Sequence, residues 1–246
     1  MNNQKIILAK THDYCAEKEP SLTVVLIHGI ASDSTTFNNI LKYLEGLKSL
    51  EGVRFVTFDL LGSGKSIKDD SLNYDYKDQL TALHNSIEAL GMNTPLVLVG
   101  HSLGTFIVTR YASTYTGAVS RLVLISPPVY TVDDLENPAF AVAIKAFKDV
   151  VGVKNHAILK EKSFNNSMEK IVLDKKNYQT LAGLKIPTDL VFGDEDQLIA
   201  SYNLPKLVKS NPRISTTKVH GRHGVTRDKF SKISAILEEA LNAQNL

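Results

Sequence analysis

Leu96-Val97-Leu98-Val99-Gly100-His101-Ser102-Leu103-Gly104 is the stretch on which the fold turns. Its four leading apolar residues show no polar alternation, which predicts a strand covered on both faces. Leu103, Phe106, Ile107 and Tyr111 then recur at helical spacing, so a strand runs into a helix across residues 100–104. Gly-x-Ser-x-Gly in that setting has a mechanical reading. The turn is too tight for side chains at its flanks, which calls for Gly100 and Gly104, and it strains the backbone of the central Ser102. The hydroxyl then stands clear of the sheet at a helix N-terminus, where the helix dipole favours developing negative charge. A strand-to-helix turn with an incidental serine spells the same five letters, so the decision rests on companions elsewhere in the chain.

Working outward, further β-branched apolar runs lie at Thr23–Ile27, Val53–Phe58, Arg121–Ile125 and Asp189–Phe192, with another strand expected over Ser215–Val219. Between them, helical spacing marks Phe37, Ile40, Leu41, Leu44 and Leu47, with Ser32 or Asp33 available as cap. It also marks Leu80, Leu83, Ile87 and Leu90, closed by Gly91, and finally Phe230, Ile233, Leu237 and Leu241. This alternation predicts an α/β fold, a mostly parallel sheet of about 7–8 strands flanked by helices and built from right-handed βαβ units. Ile6–Ala9 and the Tyr14-Cys15 region are expected to add one or two edge strands. From Pro127 to Leu184 no strand is expected. Phe140, Ile144, Phe147 and Val151 repeat at helical spacing there, and a second helical patch surrounds Met168, Ile171 and Val172. Residues 127–184 therefore read as a helical insertion over the sheet's ligand-binding end, with 1–126 and 185–246 forming the core.

Composition narrows the function classes. A chain of 246 residues, 43% hydrophobic and 22% charged, is neither disordered, collagen-like nor coiled-coil. Lys+Arg 28 against Asp+Glu 26 leaves +2, too balanced for a nucleic-acid partner. The single cysteine, Cys15, excludes an internal disulfide or a cysteine-built metal site. The apolar run Ile6–Ala9 is too short for a signal-peptide core, and none approaches the roughly 18 residues that span a bilayer. A soluble, cytoplasmic protein with no membrane partner is expected, its oligomeric state open.

The companions now bear on Ser102. Ile27-His28-Gly29-Ile30, Asp59-Leu60-Leu61-Gly62-Ser63-Gly64-Lys65-Ser66, Gly193-Asp194-Glu195-Asp196 and Gly221-Arg222-His223 each follow a predicted strand. With Gly100–Gly104 they make five short motifs in order, and over nearly its whole length the chain resembles the α/β-hydrolase superfamily. The helical insertion matches where such proteins carry a cap.

The resemblance implies a nucleophile at Ser102, a base at His223 and an acid at Asp196, in the Ser…Asp…His order expected of this fold. A serine hydroxyl needs an adjacent base, and an imidazole can both take and return a proton near neutral pH. The acid would fix the imidazole tautomer. His220 competes with His223 but ends the strand before the loop. Asp194 and Glu195 compete with Asp196, and some relatives draw the acid from a region that here offers Asp133 and Asp134. The backbone N–H groups of Ile30 and Leu103 are the implied oxyanion hole. No metal or organic cofactor is implied.

His28 reads as structural, and His12, His84, His101 and His156 as surface or packing residues without metal-like spacing. Gly62-Ser63-Gly64-Lys65-Ser66 imitates a phosphate-binding loop, but Asp59 stands where that motif needs its first glycine. The better expectation is that Asp59 and the glycines brace a tight loop. Ile30, His101, Phe140, Ile144 and Phe147 are expected to line the substrate pocket, whose apolar character suggests a small, largely apolar carboxylic ester. The expected activity is serine ester hydrolysis through an acyl-enzyme, that of a carboxylesterase. A C–C bond hydrolase, cofactor-free haloperoxidase, lyase or acyltransferase of the same fold, and a ligand receptor on a hydrolase scaffold, are the alternatives.

Overall fold

The strands that lack polar alternation lack it because helices cover both faces of their sheet. In the computed structural model, which describes residues 5–154 and 160–243, seven strands form one sheet. They are β1 (Ala9–Tyr14), β2 (Leu22–Ile27), β3 (Val53–Asp59), β4 (Leu96–His101), β5 (Arg121–Ile125), β6 (Thr188–Gly193) and β7 (Ile214–Val219), in the order β1-β3-β2-β4-β5-β6-β7. All neighbours are parallel except β1, which runs antiparallel to β3.

Adjacent side chains on β2 go to opposite cores. Val25 and Ile27 join Leu98 and Leu124 on one face, and Val24 and Leu26 join Val97, Val99 and Val123 on the other. The first core is closed by α2 (Tyr76–Glu88) and α3 (Leu103–Thr114), the second by α1 (Asn38–Leu44) and α10 (Phe230–Asn242). Ile233, Leu237 and Leu241, one turn apart on α10, are all buried. Each such side chain, fully buried, is worth roughly 1.5–3 kcal/mol. Asp33 caps a 3₁₀ turn (Ser34–Phe37) that precedes α1, accepting from the Thr35 N–H at 3.0 Å, so the expected helix is split in two.

The edge-strand expectation needs correction. Ile6–Leu8 is not in a strand, and β1 is the mixed segment Ala-Lys-Thr-His-Asp-Tyr. One face of an edge strand meets water, so its sequence carries no apolar run to find. Asp13 is held there by Arg54 of β3, at 2.7 and 2.9 Å. This guanidinium holds the Asp13 carboxyl down at about 2.

Between β5 and β6 the described residues contain α4 (Val132–Glu136), α5 (Pro138–Lys154), α6 (Glu161–Ser167), a π-helical turn (Met168–Val172) and α7 (Asn177–Ala182), and no strand. His156 lies outside the described residues. Three further helices, α8 (Leu204–Ser210), α9 (Val225–Asp228) and α10, surround β7. No helix among the described residues is long and apolar enough to cross a membrane.

Candidate active site

Three loops at the carboxyl ends of β4, β6 and β7 bring the predicted groups together. Ser102 joins β4 to α3 with φ +51° and ψ −117°, a conformation that costs on the order of 1–3 kcal/mol and is held by its surroundings. The Ser102 N–H donates to the Ile125 carbonyl at 2.9 Å, and the Ser102 carbonyl accepts from the Thr105 N–H and hydroxyl at 2.9 and 2.6 Å. The flanking glycines are required by contact. A Cβ on Gly104 would lie 2.2 Å from the Ile27 carbonyl oxygen, and one on Gly100 would lie 2.7 Å from the Gly104 backbone.

His223 Nε2 lies 2.8 Å from Ser102 Oγ, and His223 Nδ1 lies 2.8 Å from Asp196 Oδ2. A neutral imidazole in this arrangement donates from Nδ1 to the carboxylate and accepts the serine hydroxyl at Nε2. The Asp196 side chain is fully buried, and its other oxygen accepts from the Leu198 N–H at 2.9 Å. The His220 side chain is instead 74% exposed and pairs with Asp194 at 3.2 Å. Asp194 also caps the histidine loop, accepting from the Gly221 N–H at 3.1 Å, and that bond lowers its pKa. Asp134 is engaged in a capping box with Thr131 at the start of α4, and Glu195 faces Arg222 at 3.8 Å. Of the competing groups, His223 meets Ser102 and Asp196 meets His223.

The acid and histidine loops are knitted together. Glu195 N–H donates to the Gly221 carbonyl at 3.0 Å and Asp194 N–H to the Val219 carbonyl at 2.9 Å. The His223 carbonyl accepts from His101 Nε2 at 3.2 Å and from the Ser126 hydroxyl at 3.3 Å. The remaining nitrogen, His101 Nδ1, is buried without a hydrogen-bond partner. Burial, reinforced by the nearby His223, holds the pKa of His101 down to about 3, so its ring is neutral.

Gly29 packs against the serine, since a Cβ there would lie 3.0 Å from Ser102 Cβ. The next residue, Ile30, lines a cavity together with Ser102 and Leu103. Leu103 opens α3, so its N–H has no intrahelical acceptor, and among the described residues the Ile30 N–H has none either. Both amides thus belong to residues that line the same cavity as Ser102.

His28 and Asp59 shape the surrounding loops. His28 Nε2 accepts from the Leu60 N–H at 2.9 Å and Nδ1 donates to the Gly29 carbonyl at 2.7 Å; burial lowers its pKa. The Asp59 carboxylate accepts from the Ser34 and Lys65 N–H groups, both at 2.8 Å, so it braces the Gly62–Ser66 turn where a phosphate-binding loop would keep its amides open. His12 meets Glu45 at 2.5 Å, and His84 stacks on Tyr115 with 4.1 Å between ring centroids.

The cavity above the serine is lined by Ile30, Ile144 and Phe147 among the residues expected there. His101 and Phe140 are corrections. His101 ends β4, adjacent to Ser102, and alternation turns its ring under the histidine loop, away from the cavity. Phe140 begins α5 and packs edge-on against Tyr130, centroids 4.7 Å apart. Pro128, Tyr130, Met168, Val172 and Leu198 were missed as lining residues. The helical patch at 168–172 was visible in the sequence, but its place over Ser102 was not. Among the described residues no group of three or more His, Cys, Asp or Glu is placed to hold a metal ion.

The family model for the alpha/beta hydrolase fold matches residues 23–157, more than half of the chain. The chain belongs to this family. Lipase 1 of Psychrobacter immobilis is 28% identical over 251 residues, covering 87% of this chain and 77% of its own length. "Probable lysophospholipase BODYGUARD 1" of Arabidopsis thaliana is 36% identical over 111 residues, 44% of this chain but 23% of that protein. The solved esterase from Exiguobacterium antarcticum shares the fold at a TM-score of 0.72 with 18% identity, over 96% of this chain and 99% of that one. The family is thus matched here by members of lipase and esterase type, which supports ester hydrolysis at the level of the family.

Proposed function

We propose that this protein is a carboxylesterase that cleaves small, largely apolar carboxylic esters through an acyl-enzyme. The observation that carries the reading is the unbroken chain of 2.8 Å contacts from Asp196 through His223 to Ser102. Ser102 Oγ attacks the ester carbonyl while His223 Nε2 takes its proton. The tetrahedral oxyanion is held by the amides of Ile30 and Leu103, each donor worth about 2.7–4 kcal/mol in the transition state. His223 then passes the proton to the departing alcohol oxygen as the ester C–O bond breaks. Water, deprotonated by the same imidazole, frees the acid and restores the serine. Asp196 holds the proton on Nδ1 throughout and stabilises the imidazolium.

Residues 127–184 act in this reading as the cap. Ile144 and Phe147 of α5 and Met168 and Val172 of the π turn roof the cavity in which the nucleophile stands, and the apolar roof favours an apolar acyl group.

Sustained hydrolysis of p-nitrophenyl butyrate by the purified chain, lost in Ser102→Ala, is the expected result. A burst of about one equivalent followed by arrest would point instead to a receptor on a hydrolase scaffold, and turnover by Ser102→Ala at the wild-type rate would refute the assignment.

A further inference from the structure

His101 is buried beside the nucleophile, yet none of the reaction steps above uses its ring. It sits where three loops come together. The chain joins it directly to Ser102. A Cβ on Gly29 would lie 3.1 Å from its Nδ1, and its Nε2 lies 3.2 Å from the His223 carbonyl oxygen. The two histidine rings are tilted at 42°, with centroids 5.4 Å apart.

A carbonyl oxygen only accepts, so the His101 proton is on Nε2 and Nδ1 keeps a bare lone pair. That lone pair is buried and has no hydrogen-bond partner. An unpaired buried acceptor costs stability, and an apolar side chain would fill the same space without that cost. What the apolar side chain would lack is the Nε2–H.

The acceptor of that N–H is the main chain of the base itself. Ser126, fully buried just past the end of β5, donates its hydroxyl to the same oxygen at 3.3 Å. Among the described residues no backbone amide bonds this oxygen, so two side chains from the ends of β4 and β5 hold it. Asp196 fixes the ring of His223, whereas His101 and Ser126 fix its backbone.

We propose that His101 is a positioning residue whose Nε2–H, together with the Ser126 hydroxyl, pins the His223 backbone and so sets the base at reacting distance from the nucleophile. Nucleophile and base then lie on one closed circuit. It runs from Ser102 through the peptide bond to His101, across Nε2–H to the His223 carbonyl, and back from His223 Nε2 to Ser102 Oγ at 2.8 Å. The proposal rests on the esterase reading above and adds to it a residue outside the cavity lining.

The test compares His101→Ala, His101→Asn, His101→Gln and Ser126→Ala in the full chain. It reads kcat and KM on p-nitrophenyl butyrate and the rate of fluorophosphonate labelling at Ser102. An Asn amide nitrogen reaches the place of Nδ1, and only Gln reaches that of Nε2. Misplacing a reacting group by about 1 Å can cost on the order of 10²-fold in rate. The Ala and Asn variants should therefore lose about 10²-fold in kcat with KM within about twofold, and Gln should recover roughly tenfold of that loss. Ser126→Ala should lose about tenfold in kcat, and it carries the test if His101→Ala does not fold. Labelling should slow in the same order. A kcat within about threefold of wild type in the Ala and Asn variants, a Gln variant no faster than Asn, or a loss confined to KM would overturn the proposal. Those outcomes in a wild type that labels and turns over leave the esterase reading standing; a wild type that does neither overturns both.

Discussion

The loops at the carboxyl end of the sheet and the helix α5 above them face the same cavity, yet they are held in different ways. Every candidate catalytic group sits on backbone fixed by hydrogen bonds and close packing. A Cβ on Gly193 would come 2.2 Å from the Gly221 carbonyl oxygen, which shows how closely the acid and histidine loops approach each other. The outer face of α5 is open: Val142 is 70% exposed, and polar ties such as Lys148–Glu169 at 3.3 Å are partly solvated. In the proposed reading the chemistry falls to loops held by backbone hydrogen bonds and the choice of substrate to a helix whose outer face is exposed.

That division can be broken most severely at the acid. Asp196→Asn keeps the shape but removes the charge that selects the Nδ1–H tautomer, and kcat on p-nitrophenyl butyrate should fall by about 10⁴ with unchanged circular dichroism. A fall under tenfold would mean that another carboxylate serves His223. Next comes Gly29→Ala. The added methyl would meet Ser102 Cβ at 3.0 Å and His101 Nδ1 at 3.1 Å, so this loop and its neighbours must part by a few tenths of an ångström, and in the proposed reading the Ile30 amide moves with Gly29. A loss on the order of 10² in kcat, with KM nearly constant, is expected where an oxyanion donor is displaced. An unaltered kcat would remove Ile30 from the site.

A smaller effect is expected from pH. His101 is held neutral in the fold, with a pKa of about 3 against 6.5 for the free side chain. Below about pH 6.5 the unfolded chain binds a proton that the folded one refuses, so stability falls as pH drops towards 3. His28, whose pKa burial also lowers, adds to the same trend. Thermal melts should therefore show a shallower acid loss in His101→Gln, which can keep a donor to the His223 carbonyl, than in the wild type. Parallel curves would show that His101 does not contribute to the acid loss. The smallest effect is expected on α5: Lys145 and Asp149 pair at 3.0 Å with 79% and 65% of their side chains exposed, so Lys145→Ala should change stability by less than about 0.5 kcal/mol. A larger loss would mean that α5 is held more tightly than its exposure indicates.

The same contrast governs what could be read from the chain alone. The parallel strands were legible because burial on both faces leaves an uninterrupted apolar run, as in Leu96–Val99. Ser102 could be singled out because its turn needs glycines on both sides, whereas Asp196 and His223 were reached only through the resemblance of their loops to those of the family, with Asp194, Glu195 and His220 left as competitors. The cavity wall was not legible. Helical spacing shows that Ile144 and Phe147 share a face, but not that Phe140, on the same stripe, turns to Tyr130. Met168 and Val172 reach the cavity through a π turn clamped by Asn177, and no short-range pattern announces that turn. Leu198 lines it because its N–H binds Asp196, a contact fixed by the acid's own geometry. His101 misled for the opposite reason, since adjacency to the nucleophile along the chain places it on the other side of the strand.

The most direct measurement is peptide mapping by mass spectrometry after reaction with a fluorophosphonate. One adduct is expected, on Ser102, formed rapidly in the wild type, slowed by orders of magnitude in His223→Ala and absent in Ser102→Ala. An adduct on a different residue, or labelling of Ser102 at an undiminished rate once His223 is gone, would contradict it.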